Sequence, residues 1–391
     1  MEKINLLYVH SSNELYGADR SLFRLVRNLD KQRFSPYVVI SSDVHYEKPL
    51  LSPELKELGV ETFIIPLAVL RRKYFNPIGI LYFSYLFITS SWKLSKIIRK
   101  YRIDIVHSNT SAVFSGSVAA FITKRRHIWH VREIYITPRL LGLIIARLIA
   151  ILSIKAIAVS NAVRTNLSNN GCDPKKIAVV HNGIDVEVFS SDEEKRITIR
   201  SELKIPQDVI IVGMIGRISS WKGQDILVLA AQEVVDFYSD VQFLLVGGVV
   251  EWEEFRRDDL LSLINNSGLS ETIILKDFRP DVSDLLTAFD IFVLPSTLPD
   301  PFPTVVLEAM ASGLPVIASA LGGAKEMLTE ECGILVPVGD PKALATSIND
   351  LIKNTDMRIS MGNKAKLRAQ EKFSTQNYVD SIEAIYSEVL F

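Results

Sequence analysis

Two carboxylates stand close together in the run Asp300-Pro-Phe-Pro303-Thr-Val-Val-Leu-Glu308-Ala-Met-Ala-Ser-Gly313, which follows an apolar strand-like segment, Ile291 to Leu294. A helix is expected to begin near Pro303, because proline is tolerated where its missing N–H is not needed. The start of such a helix leaves the backbone N–H groups of Thr304, Val305 and Val306 without intrahelical acceptors, and its dipole favours an anion. A phosphate is the expected occupant. Glu308, roughly one turn further on, has acceptor capacity for both hydroxyls of a ribose.

A capped surface helix with an ordinary glutamate would look the same, and a second motif in the same half of the chain decides between the two. Gly213-Met-Ile-Gly216-Arg217-Ile-Ser-Ser-Trp-Lys222-Gly223 lies at the end of another apolar run. Glycines let a ligand approach the backbone, and Arg217 with Lys222 supplies the positive charge that a diphosphate requires. The spacing is neither G-x-G-x-x-G nor a Walker loop, so the dinucleotide and triphosphate readings fail on the residues present.

Short β-rich runs alternate with helical patterns along the whole chain, which is the signature of parallel-sheet α/β domains. The first series comprises Ile4 to Val9, Tyr37 to Ile40, Thr62 to Ile65, Asp104 to His107, His127 to Val131, Ala156 to Ser160 and Ile177 to His181. A charged stretch with breakers follows, from Ser190 to Pro206. The alternation then resumes with Val209 to Met214, Val241 to Val246, Thr272 to Leu275, Ile291 to Leu294, Pro315 to Ala318 and Gly333 to Val336. Leu22, Leu25, Val26 and Leu29 mark one apolar helix face. The architecture expected is two Rossmann-like, doubly wound parallel-sheet domains facing each other across a cleft, with ligands at the carboxyl ends of the strands. The domains are placed at residues 1–188, with a terminal helix of about 374–391 returning to them, and at residues 189–373.

The chain has 391 residues, of which 48% are hydrophobic and 23% charged, and this excludes disorder. Cys172 and Cys332 are its only cysteines, too few for a disulfide framework or a thiolate metal cage. With no basic, apolar leader at Met1, a cytoplasmic protein is expected. The net charge of −1 conceals +12 over residues 1–190 and −13 over the remainder. Nucleic acid is not expected as a partner. Two greasy segments stand out. Leu140 to Ile154 reads as a buried helix. Ile78 to Ile88, too short to span a bilayer and flanked by Arg71, Arg72 and Lys73 and by Lys93, Lys96, Arg99, Lys100 and Arg102, leaves two readings open: a core helix, or an interfacial helix on anionic lipid.

The sequence resembles the retaining glycosyltransferases of family 4, which have the two-domain GT-B fold. The resemblance is carried over nearly the whole chain by Tyr16-Gly17-Ala18, His130-Val-Arg132-Glu133, Ala158-Val-Ser160, Asn182-Gly183-Ile-Asp185, Arg217 with Lys222-Gly223, Asp300 to Glu308, and Gly322-Gly323. The chain departs from the family pattern twice. Asp300 stands where a glutamate is usual, and Pro303 where a glycine is usual, which removes one backbone donor.

The resemblance implies a hexose transferred with retention from a nucleotide-diphosphate sugar, most simply UDP-glucose, to a glycan or lipid-linked acceptor in polysaccharide biosynthesis. It implies no metal and no cofactor. Arg217 and Lys222 would neutralise the donor diphosphate, Glu308 would hold the ribose, Asp300 the sugar hydroxyls, and Phe278, Arg279 and Val282 would border the base. Gly17, Gly216, Phe302, Thr304 and Val305 complete the expected donor contacts, and His130 would reach the transferred sugar. Two other readings stand beside this one: a non-catalytic binder of sugar nucleotides or polysaccharide, and a sugar-nucleotide epimerase of the same fold.

Overall fold

A computed structural model describes residues 3–44, 50–190, 192–249 and 253–390. The chain divides into two compact units, residues 1–183 with 375–391, and residues 184–374.

The first unit is built on seven strands: β1 (Ile4–His10), β2 (Phe34–Ser41), β3 (Glu61–Ile65), β4 (Ile105–Ser108), β5 (Arg126–Val131), β6 (Lys155–Ala158) and β7 (Ile177–Val179). They are all parallel, in the order β3-β2-β1-β4-β5-β6-β7. Both faces of such a sheet must be covered, so the strands read as continuous apolar runs. One face is covered by the Gly17–Asn28 helix, through Leu22, Leu25 and Val26, and by the terminal Thr375–Leu390 helix, through Tyr378, Val379, Ile382, Tyr386 and Val389. Burying each of these large side chains contributes about 1.5–3 kcal/mol. The terminal helix is also tied down by polar contacts, with Glu383 accepting the Asp30 N–H at 2.8 Å and Glu388 pairing with Lys155 at 2.7 Å.

On the opposite face lie the Pro77–Lys100, Ser115–Thr123 and Arg139–Leu152 helices. The last of these corrects the expectation of a buried helix over Leu140 to Ile154. It buries Gly142, Ile145, Ala146 and Ile149, whereas Leu140, Ile144 and Ile151 are exposed. A sheet can cover only one side of a helix laid on it, so the remaining apolar positions face outward.

The second unit has six parallel strands, β8 (Ile210–Ile215), β9 (Val241–Val246), β10 (Ile273–Lys276), β11 (Ile291–Leu294), β12 (Val316–Ser319) and β13 (Gly333–Val336), in the order β10-β9-β8-β11-β12-β13. The order reverses between β8 and β11, and a crevice opens at the carboxyl ends of strands where this happens. The feet of these two strands are fixed by Asp290. One of its carboxylate oxygens accepts from Arg200 at 2.7 Å and from the Ile211 N–H at 2.8 Å, and the other accepts from Arg196 at 2.8 Å. Arg200 is fully buried and also donates to the carbonyls of Ala288, Pro206, Gln207 and Val209. Removing one member of a buried charge pair costs about 3–5 kcal/mol, because the other is left uncompensated. Arg200→Met is therefore expected to lower the urea unfolding free energy of the second unit by that amount. A loss below 1 kcal/mol would contradict the clamp.

Candidate active site

Both sequence motifs fall at the β8/β11 switch point. The loop after β8, residues 216–223, and the loop after β11, residues 295–303, are held together by the Thr297 N–H, which donates to the Trp221 carbonyl at 2.7 Å. Gly223 has φ +84, and a Cβ there would lie 2.0 Å from the Pro295 carbonyl oxygen, so the loops can approach this closely only with glycine at that position. The same holds for Gly322, at φ +59, where a Cβ would lie 2.2 Å from the Asp300 carbonyl oxygen, and for Gly323, whose N–H donates to that oxygen at 2.8 Å. The Gly322-Gly323 turn thus sets the height of the segment that carries Asp300.

This packing brings Lys222 and Asp300 together, with Nζ 2.5 Å from Oδ2 and both side chains largely removed from water. The ammonium also lies 4.6 Å from the Trp221 ring centroid. The two residues form one unit rather than a free cation beside a free carboxylate. Arg217, on the same loop, is exposed, and Glu308 is buried on the Thr304–Ala311 helix that follows. Thr304 and Val305 occupy the first two positions of that helix. The Val306 N–H corrects an expectation, because it donates to the Pro303 carbonyl at 3.1 Å where the first turn tightens. The Phe302 ring is buried and packs edge-on against Phe373, which leaves its backbone as the part a ligand would meet. At the other edge of the crevice, Gly216 donates to the Val246 carbonyl at 2.9 Å, aligning the loop with the end of β9.

Phe278 is partly exposed after β10 and Val282 is buried at the start of the Val282–Ala288 helix. Arg279 is held by Asp281, through Nε at 3.0 Å, and by Glu202. These two carboxylates raise its pKa, so its charge is already matched. Among the buried polar atoms without a hydrogen-bond partner are Ser219 Oγ in the 216–223 loop, Gln224 Oε1 just after it, Ser296 Oγ after β11 and Ser319 Oγ at the end of β12. Among the described residues, no three His, Cys, Asp or Glu side chains are grouped to hold a metal ion.

Gly17 and His130 belong to the first unit. Gly17 opens the Gly17–Asn28 helix, near a network in which Asp19 bonds His10 at 2.8 Å and Asn109 bonds the other ring nitrogen of His10 at 3.1 Å. Arg132 donates to Asn109, to Asn182 at 2.6 Å and to Tyr378 at 3.1 Å, which joins three loops to the terminal helix. His130 is fully buried on β5 and is the end of a chain that sequence reading missed. Tyr8 Oη lies 2.9 Å from Tyr386 Oη, which lies 2.7 Å from His107 Nδ1, and His107 Nε2 lies 3.3 Å from His130 Nδ1. The sequence held one signal, since Tyr8 and His107 are register partners on β1 and β4, and His130 is two residues beyond the partner of His107.

The protons in this chain can run in two directions. If Tyr8 donates to Tyr386, Tyr386 to His107 and His107 to His130, every buried proton but one finds an acceptor. The reverse direction also strands one, that of the Tyr8 hydroxyl. The first arrangement puts the stranded proton on His130 Nε2, the ring atom that has no partner among the described residues.

Burial pushes the pKa values of His107 and His130 well below 6.5, with the charge of Arg132 adding to the effect, and burial lowers that of His127 to about 3. Below pH 6.5 the unfolded chain therefore binds protons that the folded chain does not, so stability decreases as the pH is lowered. The unfolding free energy of the first unit is expected to drop by up to about 4 kcal/mol per pH unit between roughly pH 6 and 5, at about 1.36 kcal/mol for each of three histidines. A flat profile over that range in urea titrations would contradict the buried neutral state.

Comparison with known proteins adds the family. Residues 16–188 match the model of Glycosyltransferase Family 4, and residues 195–368 that of Glycosyl transferases group 1. The chain is 31% identical over 217 residues to a D-inositol 3-phosphate glycosyltransferase of Corynebacterium urealyticum, a match that covers 54% of this chain and 51% of that one. It is 28% identical over 316 residues to the capsular polysaccharide biosynthesis glycosyltransferase CapM of Staphylococcus aureus, covering 78% and 81%. The chain spans about half the length of the corynebacterial relative. Among solved structures, Anabaena HepE in complex with UDP and glucose superposes with a TM-score of 0.85 at 24% identity over 98% of this chain and 99% of that one. A glycosyltransferase from Rickettsia africae gives 0.84 at 24%, over 100% and 99%. These likenesses establish the GT-B fold.

Proposed function

Since the chain belongs to the glycosyl transferases group 1, with a Glycosyltransferase Family 4 half before it, we propose that it is a retaining hexosyltransferase using a UDP-sugar, with UDP-glucose the first choice. The acceptor is a glycan or lipid-linked saccharide in cytoplasmic polysaccharide assembly, a reading supported by the likeness to CapM. The observation that carries the proposal is the convergence of the 216–223 loop and the Asp300–Glu308 segment at one switch point, joined by Lys222 and Asp300.

In this reading the donor diphosphate sits on the exposed guanidinium of Arg217 and the ammonium of Lys222. Both stabilise negative charge as the nucleotide leaves, the role a metal ion plays in other transferases. Glu308 accepts from the ribose hydroxyls, and the base lies along Phe278, Arg279 and Val282. Asp300, whose second carboxylate oxygen remains for a sugar hydroxyl, fixes the hexose relative to the diphosphate. Departure and attack on one face of the sugar retain the configuration. The chain's contribution is to position the reactants and neutralise the phosphates.

Two outcomes follow. Arg217→Ala and Lys222→Ala should each weaken UDP-glucose binding by about 1.5–3 kcal/mol in calorimetry. Lys222→Ala falls at the upper end because it also strands the Asp300 carboxylate. Unchanged affinity in both variants would overturn the assignment. Transfer should also survive EDTA, and activity abolished by chelation and restored by magnesium or manganese would show that the two cations do not carry the leaving group.

A further inference from the structure

The Pro77–Lys100 helix begins at Asn76, whose Oδ1 caps the Gly79 N–H at 2.8 Å, and runs for 24 residues, well beyond the apolar run that marks it in the sequence. Its inner side buries Leu86, Leu94 and Ile98. Its outer side carries Ile78, Leu81, Tyr85, Ile88 and Trp92, spaced as a single stripe along one helix face. They are exposed, with Ile78 at 80%, Leu81 at 73% and Ile88 at 68%. A continuous apolar stripe of this size is not ordinary solvent-facing surface. The reading of this segment as plain core is corrected, because the sheet takes only the other side of the helix.

The charge around the stripe has one sign. Arg72 and Lys73 precede it, and Lys93, Lys96 and Lys100 follow it, all exposed, with the Lys96 ammonium 3.4 Å from the Trp92 ring centroid. No aspartate or glutamate occurs between Glu61 and Asp104. Arg71 is not part of this set, because its Nε and Nη2 donate to the buried Asp43 carboxylate, at 2.6 and 2.9 Å. The helix follows β3, so its apolar half lies at the carboxyl edge of the first sheet, where Arg71 also donates to the Ser11 carbonyl after β1 at 2.9 Å.

We propose that the outer face of the Pro77–Lys100 helix is a membrane-docking surface that lies in the plane of a bilayer bearing anionic phospholipid. Ile78, Leu81, Tyr85, Ile88 and Trp92 enter the headgroup boundary, and Arg72, Lys93, Lys96 and Lys100 face the phosphates. Among the described residues no helix is long and apolar enough to cross a membrane, which fits a helix lying flat. A second copy of the chain suits the stripe less well. Two such helices paired about a twofold axis would set the Arg72 end of one against the Lys96 end of the other, with no acid between them. Anionic lipid matches both the apolar stripe and its basic border.

The test uses the full chain and sucrose-loaded vesicles of phosphatidylcholine, with and without phosphatidylglycerol. The chain is expected to sediment with the anionic vesicles, less so as salt is raised, and Trp92 emission should shift to the blue. Leu81→Asp with Tyr85→Asp, and separately Lys93→Glu with Lys96→Glu, should each lower the partition coefficient roughly tenfold or more. All four side chains are exposed, and unchanged circular dichroism verifies that the variants fold. No binding at low salt, binding indifferent to both variants, or a dimer in sedimentation equilibrium that the same substitutions dissolve would each overturn the proposal. The readout is binding alone, so its failure leaves the proposed transfer reaction untouched, and failure of the transfer reaction leaves the docking surface untouched.

Discussion

Lys222 and Asp300 are 78 residues apart in sequence and 2.5 Å apart in the structure, at the bottom of a crevice where two strands part company. Shielding most of both side chains from water would be costly for either alone, and is tolerable because each neutralises the other. Much of the second unit serves this one contact. Asp290 and Arg200 lock the feet of β8 and β11, which sets the distance between the loops at their other ends. Gly223 allows one loop to press on Pro295, and Gly322 and Gly323 allow the other segment to be pressed from behind.

The first unit has a comparable arrangement with different chemistry. Its buried tyrosine–histidine chain depends on the terminal helix, because Tyr386 supplies the hydroxyl between Tyr8 and His107. Removing that helix would expose Leu6, Tyr8 and Leu22 and would also take from His107 its Nδ1 partner. The return of the sixteen-residue Thr375–Leu390 helix to the first unit therefore stabilises its core and supplies a partner to the His107 ring.

Most of the strand framework was legible in the sequence because strands buried on both faces read as short β-branched runs, and the runs at Ile291 to Leu294 and Gly333 to Val336 coincide with β11 and β13. The two motifs of the second unit were legible for a related reason, since glycine, cation and carboxylate at the end of a strand are a local pattern. The pairing of Lys222 with Asp300 was not legible, because it depends on strand order. Neither was the Tyr386–His107 contact, which joins residues 279 positions apart. The helices at residues 77–100 and 139–152 show the converse limit. Apolar content in the sequence marked both as segments that seek an apolar environment. Only their place against the sheet decides which positions the protein covers and which it leaves outward.

The central claim is that the β8/β11 switch point receives a nucleotide-diphosphate sugar on Arg217, Lys222, Asp300 and Glu308. Hydrogen–deuterium exchange of the chain with and without UDP-glucose tests it at the level of segments. The account predicts slowed exchange in the loop at residues 216–223 and in the segment at residues 300–308, with the strand interiors unchanged. Protection confined to other segments, or none at a ligand concentration that raises the thermal midpoint, would contradict it.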